Sequence, residues 1–181
     1  MVAAARLGWP VVLKTAMGID HKSDVGGVKL NLPDAAAVGR AYDDLAARLG
    51  PRVEVSPMAE PGVEVAMGIV VDPQFGPLVM IGAGGILVEI LRDVRFALAP
   101  TDPVEARGLI DSLGIRRLLG GVRGQSPADM ESLALAFARL STLAADLAPV
   151  LREVDVNPYI ATPTGGVIVD ALIKPRQGGA P

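Results

Sequence analysis

The stretch Glu153-Val154-Asp155-Val156-Asn157-Pro158 is the most informative part of this sequence. Polar and apolar residues alternate along it, and successive side chains of a β-strand point to opposite faces. Glu153, Asp155 and Asn157 should therefore share one face of a strand. A turn-rich segment at residues 163–166 separates this strand from a second apolar run at residues 167–171. Residues 151–172 are predicted to form an antiparallel hairpin.

Asp170 lies in the second strand of this predicted hairpin, between apolar neighbours that should be buried. A buried carboxylate needs a partner or a cation, because an unpaired buried charge is costly. Asp155, Asn157 and Asp170 offer the hard oxygen ligands that Mg²⁺ prefers. A hairpin held by hydrogen bonds, with Asn157 acting as a turn residue before Pro158, explains the same residues. The residues alone leave both interpretations open.

Lys14 follows the apolar run at residues 11–13, which predicts a buried strand with a lysine at its end. Such a lysine can place a positive charge over a phosphate chain, although a lysine that simply reaches solvent is also consistent. In the loop that follows, Gly26 and Gly27 could let backbone N–H groups approach phosphate oxygens. The sequence contains no GxxxxGK[ST] pattern, so this loop is not a Walker loop.

His21 is the only histidine of the chain and lies beside Lys22 in the same loop. A lone histidine is commonly structural or solvated, but here it could also act as a nucleophile or a phosphate contact. Three arginines could add positive charge to a phosphate site or pair with surface carboxylates: Arg92, Arg95 and Arg123.

The remaining pattern predicts an α+β protein. Apolar periodicity and turn residues indicate helices at residues 2–7, 34–49, 103–112 and 127–147, and strands at residues 28–32, 53–55, 63–71, 79–81 and 86–91. In the strand at residues 63–71 the apolar residues share one face, so Glu64 should point to the other.

Composition excludes several classes of protein. The chain has 181 residues, a net charge of -3 and no cysteine, so neither a basic nucleic-acid interface nor a thiolate or disulfide site is expected. It contains neither an apolar run long enough for a membrane span nor the pattern of a signal peptide. A cytoplasmic protein that binds neither membranes nor nucleic acid is predicted.

Five segments, taken together and in this order, resemble the ATP-grasp domain of ADP-forming acyl-CoA synthetases. That domain also occurs in acetyltransferase-fused relatives and is a distant cousin of the succinyl-CoA synthetase β subunit. The resemblance implies an ATP-grasp domain over residues 1–174, followed by a disordered tail at residues 175–181. The segments are residues 10–14, 21–28, 72–77, 82–89 and 153–158.

The resemblance implies two α/β lobes that grip ATP or ADP with Mg²⁺. Lys14 would contact the α- and β-phosphates, and the loop with Gly26 and Gly27 would close over the phosphate chain. Glu64 matches the acid that binds ribose. The backbone near adenine would be that of Val55, Pro57 and Met58. The family's magnesium ligands match Asn157 and Asp170, with Asp155 close by.

In the family, ATP phosphorylates a histidine, the phosphate passes to a carboxylic acid, and CoA displaces it to give acyl-CoA, ADP and phosphate. The main phosphohistidine belongs to another domain, and His21 matches a histidine proposed to relay phosphate. The resemblance therefore implies a CoA-binding or ligase partner, through which the acid and CoA would enter. Whether the chain also forms a homo-oligomer stays open.

Family domains carry a helix, a strand and another helix before the strand that ends at Lys14. The first lobe is therefore expected to be truncated at its N-terminus, with an open sheet edge that invites a partner. Turnover by this chain alone is not expected. A regulatory nucleotide-binding module and an inactive remnant are the alternatives. An enzyme component is favoured because the set Lys14, His21, Glu64, Asn157 and Asp170 is intact.

Overall fold

The computed structural model describes residues 2–20, 22–85, 93–122 and 124–176. The chain divides into two compact units, Met1–Ala59 and Glu60–Pro181. Within the described ranges, no helix combines the length and the apolar character that crossing a membrane requires.

The first unit is a three-stranded antiparallel sheet with two helices. The strands are β1 (Val11–Thr15), β2 (Val28–Leu32) and β3 (Val53–Pro57), in the order β2-β1-β3. The helices are α1 (Val2–Leu7) and α2 (Ala35–Leu49). The Asp34 side chain caps α2 by accepting a hydrogen bond from the N–H of Ala37, as expected of an N-cap aspartate. Two small apolar clusters join α1 and α2 to the sheet.

The described residues of the second unit form a six-stranded antiparallel sheet and three helices. The strands are β4 (Val63–Asp72), β5 (Gly76–Ala83), β6 (Val94–Leu98), β7 (Leu151–Thr162), β8 (Gly165–Ile168) and β9 (Ala171–Pro175). Their order in the sheet is β6-β5-β4-β7-β8, and β9 also pairs with β7. The helices are α3 (Pro103–Asp111), α4 (Arg116–Leu119) and α5 (Met130–Leu147).

One continuous core lies between this sheet and its helices. Alternate residues of β4, such as Val65 and Met67, pack in the same cluster as Leu133 and Phe137 of α5. Glu64 is exposed, as the predicted alternation requires. The helices at residues 103–112 and 127–147 are confirmed, although α5 begins only at Met130, after the N-cap residue Asp129.

The predicted terminal hairpin is only partly correct. Strand β7 runs from Leu151 to Thr162, and its first half pairs with β9 while its second half pairs with β8. It can continue because Asn157 and Pro158 form a β-bulge opposite Ala66, which inserts one extra residue without ending the strand. The hairpin turn therefore lies between Thr162 and Gly165.

The burial predicted around Asp170 is wrong. Asp170 lies in the break between β8 and β9, is half-buried, and is followed by the exposed Ala171. The tail is predicted to begin at residue 175, but Pro175 ends β9, and the N–H of Arg176 donates to the carbonyl oxygen of Val150. Strand β6 and helix α4 were not predicted. The predicted strand at residues 86–91 and the tail beyond residue 176 lie outside the described residues.

Candidate functional site

Lys14 is the most enclosed charged residue predicted for the site. Every residue of β1 is buried, and the Lys14 side chain is only 7% exposed. Val11 and Leu13 pack with α2, so alternation places Lys14 on the opposite face of the small sheet. A lysine that simply reaches solvent does not fit this burial. An enclosed ammonium group can be kept charged only by anionic or hydrogen-bonding partners.

The loop that contains Gly26 and Gly27 uses its backbone N–H groups internally. The N–H of Gly26 donates to Ser23 (N···O 3.0 Å), and the N–H of Gly27 donates to Lys22 (2.7 Å). These N–H groups are therefore not aimed at a ligand, in contrast to the role predicted for them. Gly27 is needed for packing instead, because a Cβ there would lie 2.8 Å from the Lys22 carbonyl oxygen.

Arg48, which sequence reasoning did not select, anchors this loop to α2. Its guanidinium donates to the carbonyl oxygens of Val25 (3.1 Å) and Gly26 (3.2 Å) and pairs with Asp44 through two nitrogens. The hydrogen bonds from Arg48 and then Lys29 hold the pKa of Asp44 well below its usual range. Arg48 and the loop are more than twenty residues apart, so no local pattern could have indicated the contact.

The segment predicted to meet adenine lies at the end of β3. Val55 packs against both small clusters of the first unit. The N–H of Met58 donates to the carbonyl oxygen of Pro10 (3.2 Å), and Pro57 has no N–H. Neither Pro57 nor Met58 therefore offers a free N–H group at this segment. His21, Arg92 and Arg123 lie outside the described residues.

Arg95 makes structural contacts rather than forming part of a phosphate site. Its guanidinium donates to Ser112 Oγ (3.0 Å) and to the carbonyl oxygen of Val94 (2.8 Å), and it pairs with Asp93 (3.4 Å). Asp93 also accepts a hydrogen bond from the N–H of Ile115. Arg95 and Asp93 thus hold the connection between α3 and α4 against the start of β6.

Glu64 sits against a glycine pair at the end of β5. The N–H of Gly84 donates to the carbonyl oxygen of Glu64 (2.9 Å), and a Cβ at Gly84 would lie 2.7 Å from the Glu64 and Val65 backbone. Gly85 has φ +57°, and a Cβ there would overlap Glu64 Oε2. Glu64 and Gly84 line a cavity of about 420 Å³ together with Leu118 and other residues.

The structure brings Asp155, Asn157 and Asp170 together. Val154 and Val156 are buried in the core, so Asp155 and Asn157 project from the other face of β7, as predicted. Val156 pairs with Ala171, and the N–H of Val169 donates to the carbonyl oxygen of Pro158 (3.1 Å). The pair Asn157 and Asp170 lies between these two contacts, so the two residues are opposite each other on neighbouring strands.

The donor set of these three residues fits a hard divalent cation. Asn157 Oδ1 accepts a hydrogen bond from the N–H of Gly85 (3.1 Å), so the carboxamide has one defined orientation. Among the residues that the structure describes, no three His, Cys, Asp or Glu side chains gather closely enough to hold a metal by themselves. A cation here would therefore use the amide oxygen as well as the carboxylates, with phosphate oxygens completing its shell.

Two comparisons with known proteins decide the family. The model of the ATP-grasp domain family matches residues 1–174. The β subunit of acetate–CoA ligase (ADP-forming) II from Pyrococcus furiosus is 36% identical over 181 residues, which is 94% of this chain and 77% of that subunit. This chain belongs to the ATP-grasp family of ADP-forming CoA ligases.

Two further members of the family illustrate its range. The 4-hydroxybutyrate–CoA ligase (ADP-forming) of Nitrosopumilus maritimus is 40% identical over 90% of this chain, which spans only 24% of that ligase. Among solved structures, the dinucleotide-forming acetyl-coenzyme A synthetase 1 of Ca. Korarchaeum cryptofilum, in complex with coenzyme A, Ca-AMPCP and HgCl⁺, superposes with a TM-score of 0.89. Identity is 38%, over 97% of this ATP-grasp chain and 80% of that chain.

Proposed function

We propose that this chain is the ATP- and Mg²⁺-binding component of an ADP-forming acyl-CoA ligase, and that it works with a CoA-binding partner. The observation that carries the proposal is the position of Asp170 across from Asn157, next to Asp155 on the same strand face. An amide and two carboxylates at one place on a sheet are hard to explain by hairpin packing, because apolar residues would serve that purpose better.

In this proposal Asp155, Asn157 and Asp170 hold Mg²⁺, which when bound neutralises charge on the phosphate oxygens. Lys14 neutralises charge on the phosphate chain, and its burial strengthens that interaction because the surroundings have a low dielectric constant. Catalysis of phosphoryl transfer relies largely on such positioning and charge neutralisation.

The nucleoside part of ATP is proposed to contact three further places. Glu64 accepts hydrogen bonds from the ribose hydroxyl groups at the 420 Å³ cavity. The backbone of Val55, Pro57 and Met58 lies along adenine, where carbonyl groups accept from its amino group. The loop of Gly26 and Gly27 covers the phosphate chain with the shape that Arg48 and its internal hydrogen bonds give it.

Relatives support the partner and the reaction. The Ca. Korarchaeum cryptofilum synthetase has also been solved with coenzyme A and Mg-AMPPCP, with a phosphohistidine segment that points towards the nucleotide binding site. By analogy, a histidine on the partner takes the γ-phosphate of ATP and passes it to a carboxylic acid, and CoA then displaces the phosphate. His21 is proposed to relay the phosphate on the side of this chain.

Calorimetric titration of the purified chain with ATP and ADP, with and without Mg²⁺, tests the proposal. Mg²⁺ should tighten nucleotide binding, and Asp170→Ala should abolish that gain, a loss of about tenfold or more. Lys14→Ala should weaken binding whether or not Mg²⁺ is present, because it removes a phosphate contact rather than a metal ligand.

Two variants provide matched controls. Asp146→Ala removes an exposed carboxylate from α5, and Arg40→Ala removes an exposed cation from α2. Both should bind MgATP like the unaltered chain. A folded chain that does not bind nucleotide, or an Asp170→Ala variant that keeps the full effect of Mg²⁺, would show the proposal to be wrong.

A further inference from the structure

Gly85 contacts the proposed ribose site and the proposed metal site at the same time. Its N–H donates to Asn157 Oδ1, from a position 72 residues earlier in the chain. Its α-carbon faces the Glu64 carboxylate, with no room for a Cβ between them. Gly85 thus lies between the Glu64 carboxylate and the Asn157 amide.

The hydrogen bond from Gly85 determines which end of the Asn157 amide is available. A backbone N–H can only donate, so the atom that faces it must be the carboxamide oxygen. That oxygen has two lone pairs, one of which accepts from Gly85 and the other of which can bind a cation. Without the N–H the amide could rotate and present its NH₂ group, which repels a cation. Partners of this kind, behind a metal ligand, commonly set metal affinity.

The backbone of Gly85 can reach this position only because the residue is glycine. Its φ of +57° lies in the left-handed region, which disfavours residues with a Cβ. The overlap with Glu64 Oε2 is a separate restriction, which would remain even if the backbone strain were tolerated. The segment Gly84–Gly85 packs on the Glu64 backbone as well, through the N–H of Gly84.

We propose that Gly85 is a positioning residue that orients the Asn157 amide for Mg²⁺ and leaves space for the Glu64 carboxylate, so that metal binding and ribose binding are coupled. This inference rests on the proposed function of the chain. It adds a residue that touches neither the metal nor the nucleotide through a side chain.

Gly85→Ala, compared with Gly76→Ala, tests the inference. Gly76 is also in the left-handed region, at φ +79°, but a Cβ there meets no atom within 4 Å. The two variants share the backbone strain, and only Gly85→Ala disturbs Glu64 and Asn157. We expect Gly85→Ala to lose about tenfold or more of the gain in ATP affinity on adding Mg²⁺ and to bind less Mn²⁺ by electron paramagnetic resonance in the presence of ADP. Gly76→Ala should keep both.

The double variant Glu64→Ala/Gly85→Ala separates positioning from simple misfolding. Removing the Glu64 carboxylate makes room for the Cβ, so the Gly85 N–H can return to Asn157. The effect of Mg²⁺ on ATP affinity in the double variant should therefore approach that of Glu64→Ala alone, even if Gly85→Ala by itself does not fold. If the double variant folds but still shows a smaller effect of Mg²⁺ on ATP affinity than Glu64→Ala alone, the inference is wrong.

The outcomes also separate this inference from the proposed function. If the unaltered chain shows no binding of nucleotide that depends on Mg²⁺, the proposed function and the inference both fail. If the unaltered chain shows that binding and Gly85→Ala behaves like Gly76→Ala, only the role of Gly85 is overturned.

Discussion

Strand β1 of the first unit and strand β7 of the second unit each carry proposed ligand-binding residues, and they hold them in different ways. Every residue of β1 is buried, so Lys14 is held by enclosure. Strand β7 alternates between the core and the other face of its sheet, so Asp155 and Asn157 are held by strand register. The position of a residue held by enclosure depends on the stability of its unit. The position of a residue held by strand register depends on how its neighbouring strands pair.

The cores of the two units differ in the same sense. The second unit has one continuous cluster that includes residues from its sheet and all three helices, whereas the first has two small clusters around α2. Because the hydrophobic contribution to stability increases with the apolar area that is buried, the second unit should have the larger free energy of unfolding.

Phe137→Ala should have the largest effect on stability. Phe137 is fully buried on α5 in the continuous core, and its truncation should lower the free energy of unfolding by about 3–5 kcal/mol. Chemical denaturation followed by circular dichroism measures this loss. Leu135→Ala, on the exposed side of the same helix, should cost much less. Equal losses would mean that the continuous core does not carry the stability of the unit.

Leu45→Ala should destabilise the first unit selectively. Leu45 is fully buried where α2 meets β1, and the expected loss is about 2–3 kcal/mol, towards the lower end for such truncations because a thin layer can relax. Hydrogen exchange should accelerate in α2 and β1 while α5 stays protected. Arg40→Ala on the exposed face of α2 is the control. Equal acceleration of hydrogen exchange in both units would contradict the expectation that Leu45 stabilises the first unit selectively.

Thr15→Val should stabilise the chain by about 1 kcal/mol. Thr15 Oγ1 is buried and has no hydrogen-bond partner among the described residues, so an isosteric apolar group removes an unsatisfied hydroxyl. The opposite sign is expected for Thr101→Val, because the buried Thr101 hydroxyl donates to Glu105. Thermal and chemical unfolding of both variants gives the comparison. A loss of stability in Thr15→Val would indicate that its hydroxyl is satisfied.

Tyr159→Phe should change stability only at alkaline pH. Burial, and then the charge of Asp129, raise the pKa of the Tyr159 phenol. A raised pKa in the folded state gives stability that is complete below the unfolded value of about 10 and is lost as pH rises through the folded value. Melting temperatures at pH 8 and pH 11 should show a smaller alkaline loss in Tyr159→Phe. Tyr42→Phe, at an exposed tyrosine, should leave the loss unchanged.

Much of the fold could be predicted because it depends on local features. Asp34, Asp102 and Asp129 mark helix starts through their side-chain hydrogen bonds to nearby N–H groups. The alternation in β4 and β7 correctly assigned Glu64 and Asp155 to the face opposite the core. Strand β6 and helix α4 escaped prediction because both are short and their apolar residues show no clear period.

The sequence by itself determined that Glu153, Asp155 and Asn157 share a strand face, because side-chain alternation is a property of consecutive residues. Only the tertiary structure decided that Asp170 lies across from Asn157, since the pairing of β7 with β8 on one side and with β9 on the other sets that register. It also decided that the Gly85 N–H meets Asn157 Oδ1. Contacts between residues so distant in sequence depend on how whole strands pair, which no local pattern encodes.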